Sequence, residues 1–171
     1  MNKKRRAIYP GTFDPITFGH INILSKAITM FDEVILAVAS ITGKDTLFSM
    51  DERVNICSLA IKEFPLIRIE KFEGLAVRYA EKVGASTIIR GLRAVSDFEY
   101  ELQLSLMNKN LNKDIDTVFL VPDANFLYLS SSMVKQIVML GGCLTDYIPE
   151  CVEKAILKKM NNKGLFDREI E

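Results

Sequence analysis

The residues most suited to chemistry lie in one short segment near the start of the chain, Tyr9 to His20, with the sequence YPGTFDPITFGH. Gly11 and Thr12 follow an apolar β-rich run, Thr17 is a good N-cap, and His20 falls in the first turn of the helix that follows. Backbone amides at such a strand-to-helix turn bind anions, and an imidazole beside them can contact a phosphate. His20 is the only histidine of the chain, so a phosphate site is favoured over a multi-histidine metal site. The alternative is that His20 merely helps to cap the helix.

Three further segments carry groups that suit phosphate. Arg90 to Arg93, with the sequence RGLR, follows a β-rich run, and guanidinium groups match phosphate oxygens. Ser130 to Ser132 precede a helix, where hydroxyls and amides can form a second phosphate cradle. Both segments have a plainer alternative, since the arginines can pair with nearby carboxylates and the serines can act only as an N-cap. Lys44 lies in the loop after the second β-rich run, and this location is its only support.

The chain as a whole alternates short β-rich runs with segments of helical period. The predicted strands are Ala7 to Tyr9, Val34 to Ala39, Leu66 to Ile69, Thr87 to Ile89 and Thr117 to Val121. The predicted helices are Phe18 to Met30, Ser49 towards Phe64, Leu75 to Val83, Ser96 to Lys109, one that starts near Ser131, and Pro149 to Met160. This alternation predicts an α/β fold in which a five-stranded parallel sheet has helices on both faces, and ligands bind beyond the carboxyl ends of its strands.

The composition fits one domain that spans residues 1–171, with 49% hydrophobic and 26% charged residues. Acidic and basic residues number 22 each, so no overall charge favours nucleic acid or an anionic membrane. No apolar run is long enough to span a bilayer. Cys57, Cys143 and Cys151 lack CxxC spacing, which argues against both disulfides and structural zinc and favours a reducing cytoplasm.

The predicted helix from Ser96 to Lys109 has two apolar stripes on nearly opposite faces. One stripe consists of Phe98, Leu102 and Leu106, and the other of Tyr100, Leu104, Met107 and Leu111. A single sheet cannot cover both faces. We therefore predict that one stripe packs inside its own subunit and the other packs between subunits, although a neighbouring helix of the same chain is an alternative cover.

The combination of Tyr9 to Pro15 (YPGTFDP), Arg90 to Arg93 (RGLR) and Asp97 to Glu101 (DFEYE) resembles the bacterial phosphopantetheine adenylyltransferases. The TFGH sequence that ends at His20 and the serine-rich segment resemble the wider nucleotidyltransferase superfamily, which carries a His/Thr-x-Gly-His motif. The resemblance covers nearly the whole chain. It implies a Rossmann-like fold, a homohexamer, and transfer of the adenylyl group of ATP to 4'-phosphopantetheine, which forms dephospho-coenzyme A and pyrophosphate.

The resemblance also implies the residues around each substrate. Phosphopantetheine is expected beside Thr12, Lys44, Ala76 and Arg90. ATP is expected beside Thr12, Phe13, His20, Gly91, Leu92, Arg93, Glu101, Phe126, Leu127, Tyr128, Leu129, Ser130, Ser131 and Ser132. The expected catalytic groups are His20 and Thr17 at the α-phosphate, Lys44 at the acceptor phosphate and Arg93 at the departing pyrophosphate. Mg²⁺ is expected to enter with ATP, without a protein cluster dedicated to it.

Two alternatives remain at this point. The acceptor of a related nucleotidyl transfer could be nicotinamide mononucleotide or an alcohol phosphate. A protein of another class could bind the nucleotide as a sensor without reacting.

Overall fold

The fold is built on one five-stranded sheet in which all neighbouring strands are parallel. A computed structural model describes residues 4–40, 45–93 and 95–162, without the side chains of 95–97 and 162. The strands are β1 Arg6–Gly11, β2 Glu33–Ala39, β3 Ile67–Phe72, β4 Thr87–Gly91 and β5 Asp116–Leu120. They lie in the order β3-β2-β1-β4-β5, so the direction of winding reverses between β1 and β4. The carboxyl ends of these two strands open a crevice where parallel α/β sheets bind ligands.

Helices cover both faces of the sheet, as the sequence predicted. They are α1 Phe18–Met30, α2 Met50–Ala60, α3 Ala76–Lys82, α4 Val95–Leu111, α5 Ser131–Met139 and α6 Glu150–Asn162, together with a short 3₁₀ helix at Ala124–Phe126 that was not predicted. The larger core lies on one face, where residues of β1 and β2 such as Ala7 and Leu36 pack with Leu24 of α1 and Ile156 of α6. The smaller core lies on the other face, where Ile8, Ile35 and Ile88 pack with Val77 of α3. The α/β, Rossmann-like fold class is thereby confirmed.

The element boundaries follow local chemistry. Ser49 caps α2 and forms the expected capping box with Glu52. The helix ends at Ala60 rather than near Phe64, because the residue before Pro65 is disfavoured in the helical region and the chain closes a turn there instead. Strand β3 continues to Phe72, three residues beyond the predicted end, because its pairing with β2 continues to the end of that strand.

Helix α4 departs from the prediction made for its apolar stripes. Phe98, Leu102 and Leu106 of one stripe are exposed in the single chain, and so are Tyr100, Met107 and Leu111 of the other. The buried side chains in the described part of this helix are polar, namely Glu101 and Asn108. The prediction that one stripe is buried within its own subunit is therefore wrong. The reason is that α4 packs beside the edge strand β5, and the described part of the chain covers little of the rest of its surface.

Across the described ranges, we find no helix that combines the length and the apolar character required to cross a membrane.

Candidate active site

A cavity of 860 Å³ opens at the carboxyl edge of the sheet, where β1 and β4 end. Its wall is formed by the β1–α1 turn, the end of β4, one side of α4, the start of α3 and the start of α5. The switch in strand order thus produces the crevice in which three of the segments singled out from the sequence meet.

The β1–α1 turn has a backbone conformation that depends on one glycine. Phe13 has a φ of 49°, which is unusual for a residue with a side chain. Its ring folds back over Gly11, where a built Cβ atom would come within 2.8 Å of the ring. The same ring packs edge-on against Tyr9 and His20, at centroid distances of 5.5 and 5.2 Å. Phe13 therefore holds the imidazole from one side, and only glycine at position 11 leaves room for this arrangement.

His20 combines the two roles that the sequence left as alternatives. Its Nδ1 accepts a hydrogen bond from the Thr17 backbone N–H at 3.0 Å, and the Thr17 hydroxyl caps the helix, so the pair forms a capping box. Because Nδ1 is an acceptor, the neutral imidazole carries its proton on Nε2. Burial, and secondarily the charge of Arg93, lower the pKa of His20 to about 3. The cavity wall therefore contains a neutral imidazole with an N–H donor.

Arg90 and Arg93 follow β4 and make different contacts. Arg90 donates two hydrogen bonds of 2.6 Å to the carboxylate of Glu101, and a third of 3.1 Å to the Pro10 carbonyl. Burial opposes the charged form of Arg90, but the hydrogen bonds and charge of Glu101 outweigh it and raise its pKa. Pairing with a carboxylate was the alternative for this arginine, although Glu101 belongs to the cavity wall and not to an outer surface. Arg93 donates to the Leu129 carbonyl at 3.2 Å.

The three serines divide the roles proposed for them. Ser130 is the N-cap of α5 and accepts from the backbone N–H of Met133 at 3.1 Å. The Ser131 hydroxyl donates to the Pro15 carbonyl at 2.8 Å, which ties α5 to the β1–α1 turn. Ser132 is exposed and lines the cavity. The predicted N-cap is therefore confirmed. It places the first residues of α5 in the cavity wall, as phosphate binding at a helix N-terminus requires.

Two of the residues expected beside the acceptor, Ala76 and Thr12, line the same cavity. Ala76 begins α3 and lines the cavity together with Gly74 and Leu75. Thr12 lies at the end of the β1–α1 turn nearest to β1 and also lines it. Lys44 lies outside the described residues, although Asp45 and Thr46, which follow it, belong to the cavity wall.

Comparison with known proteins identifies the family. The family model for cytidylyltransferase-like proteins matches residues 8–137. A phosphopantetheine adenylyltransferase from Desulfitobacterium hafniense is 52% identical over 155 residues, which cover 91% of this chain and 95% of that protein. Relatives of the same name from Lawsonia intracellularis and Caldanaerobacter subterraneus are 53% and 47% identical, with 88% and 91% of this chain covered and 87% and 97% of the relatives. The chain belongs to the phosphopantetheine adenylyltransferase family.

A solved structure shares the fold at much lower identity. A protein from Vibrio parahaemolyticus, provisionally named a nicotinate-nucleotide adenylyltransferase, superposes with a TM-score of 0.69 at 17% identity. The match covers 91% of this chain and 99% of the other. At this identity the likeness supports the Rossmann-like fold alone.

Most of the site residues expected from the family resemblance do line the cavity. Those in the wall are Thr12, Phe13, Thr17, His20, Ala76, Arg90, Gly91, Arg93, Glu101, Leu129, Ser130, Ser131 and Ser132. Those described but outside the wall are Leu92, Phe126, Leu127 and Tyr128. Their contacts with ATP stay predictions.

The segment that contains Phe126 is held next to α1. Asn22 exchanges hydrogen bonds with Asp123, and Lys26 forms an ion pair with the same carboxylate at 2.7 Å. The Phe126 carbonyl lies 3.7 Å from the position that a Cβ atom of Gly19 would occupy. These contacts place the segment along the edge of the cavity without making it part of the wall.

Sequence reasoning missed several members of the cavity wall. Tyr100, Leu104 and Asn108 line it from α4, although the first two were predicted only as members of an apolar stripe of that helix. The i, i+3, i+7 spacing of Glu101, Leu104 and Asn108 could have indicated a shared face. Asp14 also lines the cavity, and it lies in the segment from Tyr9 to His20 that was singled out, although no role was predicted for it.

The described residues contain no group of three or more His, Cys, Asp or Glu side chains that could hold a metal ion. The buried carboxylates of the cavity are already paired. Glu101 binds Arg90, and Asp14 binds Lys135 at 2.8 Å.

Proposed function

We propose that this chain transfers the adenylyl group of ATP to the phosphate of 4'-phosphopantetheine, which gives dephospho-coenzyme A and pyrophosphate. The observation that carries the proposal is the presence of relatives with this name that are 47% to 53% identical over about nine-tenths of the chain. The cavity supports it independently, because a neutral imidazole donor, two arginines and a helix start converge there. That set of groups suits a polyphosphate.

The reaction is a single in-line displacement. An oxygen of the phosphopantetheine phosphate forms a bond to the α-phosphorus of ATP, and the bond from that phosphorus to the pyrophosphate oxygen breaks. No protein atom forms a covalent intermediate. The side chains position the reactants and stabilise the charge that develops at the α-phosphate and on the leaving group.

His20 and Thr17 are assigned to the α-phosphate. Because the Thr17 backbone N–H fixes Nδ1 of His20 as an acceptor, Nε2 donates without any reorganisation. Phosphate oxygens bound next to Nε2 polarise its N–H, while Nδ1 continues to accept from the Thr17 backbone N–H. Hydrogen-bond donation from His20 is therefore expected to strengthen as negative charge accumulates on the α-phosphate.

The remaining groups divide between the two ends of the reaction. Arg93, Ser131 and Ser132 hold the departing pyrophosphate, and Lys44 and Thr12 orient the attacking phosphate. Arg90 is fixed by two bonds to Glu101, so its guanidinium contributes to the acceptor end from a constrained position.

Mg²⁺ is proposed to arrive with ATP. The donor set fits this route, since Glu101 and Asp14 already bind cationic side chains and leave the ion to phosphate oxygens and water. When bound, it supplies neutralising charge to the polyphosphate.

One assay tests the reaction and its alternatives together. Pure protein is incubated with ATP, magnesium and 4'-phosphopantetheine, and the product is identified by its mass. Dephospho-coenzyme A with equimolar pyrophosphate is expected. Parallel incubations with nicotinamide mononucleotide or an alcohol phosphate should give no adenylylated product. Tight ATP binding without turnover on any acceptor would instead indicate a nucleotide sensor.

The assembly is proposed to be a homohexamer, with the exposed apolar surface of α4 as an intersubunit contact. Phe98, Leu102, Leu106, Tyr100, Met107 and Leu111 are all exposed in the single chain, by 37% to 65%. A surface with so many apolar side chains rarely remains in contact with water. A second copy of the chain is the occupant that the family resemblance implies. We place the enzyme in the cytoplasm, where its free cysteines stay reduced.

Light scattering after size-exclusion chromatography tests the assembly. Met107→Glu should dissociate it, because a buried charge without a partner is costly at an interface. Leu59→Glu is the matched control, since Leu59 is an exposed apolar residue of another helix, α2. A wild-type monomer at micromolar concentration would contradict the proposal.

A further inference from the structure

Arg53 is a buried charged residue that the proposed reaction does not use. It lies on α2 and only 2% of its surface is exposed. Its Nη1 donates to the Thr12 carbonyl at 2.8 Å and to the Ala39 carbonyl at 2.9 Å. Thr12 follows the end of β1, and Ala39 is the last residue of β2. One guanidinium therefore joins two neighbouring chain segments at the carboxyl edge of the sheet, and both residues line the cavity.

Fold stability alone does not account for this arginine. Within the described ranges, no carboxylate lies within ion-pair distance of Arg53, and its buried Nε has no hydrogen-bond partner. The Ser40 hydroxyl, next to Ala39, is also buried without a partner. Burying a charge without a counter-ion costs several kcal/mol, and an apolar side chain of similar size would avoid that cost. The position of Arg53 at the end of two strands that form the cavity suggests a role in the reaction.

The segment between β2 and α2 is also held at its other end, just before α2 begins. The buried carboxylate of Asp14 accepts hydrogen bonds from the backbone N–H groups of Leu47 and Phe48, at 2.8 and 2.9 Å. Arg53 and Asp14 thus fix the two described flanks of the segment between β2 and α2 to the β1–α1 turn. In sequence, this segment contains the lysine assigned to the acceptor phosphate.

We propose that Arg53 is a positioning residue for the acceptor half of the reaction. By holding the carbonyls of Thr12 and Ala39 together, it sets the distance between the β1–α1 turn and the point at which the chain leaves β2. This role rests on the proposed function. Its hydrogen bonds reach the Thr12 and Ala39 carbonyls but neither Arg93 nor the serines, so loss of Arg53 should impair use of phosphopantetheine much more than ATP binding.

Arg53→Met tests this role because methionine fills a similar apolar volume without the hydrogen bonds or the charge. The KM for phosphopantetheine should rise and kcat should fall, together by roughly ten- to hundredfold in kcat/KM, as expected for reactants displaced by about 1 Å. The Kd for ATP, measured by calorimetry, should stay within about twofold of wild type. Arg78→Met is the matched control, since Arg78 is exposed on α3 and pairs only with Glu81 among the described residues.

Arg53→Lys is the second variant. It keeps the charge, but its single ammonium lacks the planar fork of a guanidinium, so it should recover only part of the lost kcat/KM. Arg53 would have a purely structural role if a variant lost ATP affinity and phosphopantetheine use equally. The same would follow if a folded but less stable variant had normal kinetics. Failure of both variants to fold would also overturn the proposal. If the wild-type protein makes no dephospho-coenzyme A, the proposed function fails first, and the two failures are thereby distinguished.

Discussion

Replacing His20 by asparagine separates the two roles of this side chain. Asparagine carries its Oδ1 on Cγ, where the imidazole carries Nδ1, so it can still accept from the Thr17 backbone N–H. It has no atom in the place of Nε2. His20→Asn should therefore keep the cap and lose the donor aimed into the cavity, whereas His20→Ala loses both.

The magnitudes follow from these contacts. Loss of one preorganised donor typically lowers turnover by about a hundred- to a thousandfold, or roughly 3 to 4 kcal/mol. Loss of a helix cap costs about 1 kcal/mol of folding free energy. Both variants should thus show the same fall in kcat. Only His20→Ala should in addition unfold about 1 kcal/mol more easily.

Three measurements separate these effects. Steady-state kinetics at saturating phosphopantetheine gives kcat, calorimetry gives the affinity for ATP, and urea unfolding gives the free energy of unfolding. We expect near-normal ATP affinity and assembly in both variants, with kcat reduced. Normal turnover in His20→Asn would show that the Nε2 donor is not catalytic. If ATP affinity fell by the full factor while saturated turnover stayed normal, His20 would bind substrate and transition state equally, and its catalytic assignment would be wrong.

Three further perturbations test other parts of the site. Acid should destabilise the fold, because unfolded His20 takes up a proton below its ordinary pKa of 6.5 while folded His20, with its pKa lowered to about 3, does not. The free energy of unfolding, measured with urea, should fall by at most about 2 kcal/mol between pH 7 and pH 5. His20→Asn should not show this fall. Gly11→Ala should cost about 1 to 3 kcal/mol in the same assay, because its Cβ would stand 2.8 Å from the Phe13 ring, and an unchanged midpoint would contradict the packing described. Lys44→Ala should raise the KM for phosphopantetheine more than that for ATP and Arg93→Ala should do the reverse, so equal shifts in either variant would reject the division of roles.

The capping residues and the strand-to-helix turn could be predicted from local sequence because their physics is local. Thr17 and Ser49 cap their helices through bonds to groups three residues away, and such bonds depend on spacing alone. The alternation of β-rich and helical segments also fixed the parallel sheet and the edge at which Arg93 and Ser131 would meet His20. For the same reason, the motif residues were found without any knowledge of tertiary contacts.

Two features could be learned only from the tertiary structure. They are the pairing of side chains that are distant in sequence, and the burial or exposure of each helix face. Glu101 could be placed on a helix, but its two bonds to Arg90 depend on where the packing of α4 beside β5 places that helix relative to the end of β4. The apolar pattern of α4 resembled a helix buried on two sides, whereas the single chain leaves those side chains exposed and buries Asn108. Arg53 had no local signal, since its partners Thr12 and Ala39 lie 41 and 14 residues away in sequence. Periodicity shows which side chains share a face, and only the packing of the whole chain decides what that face contacts.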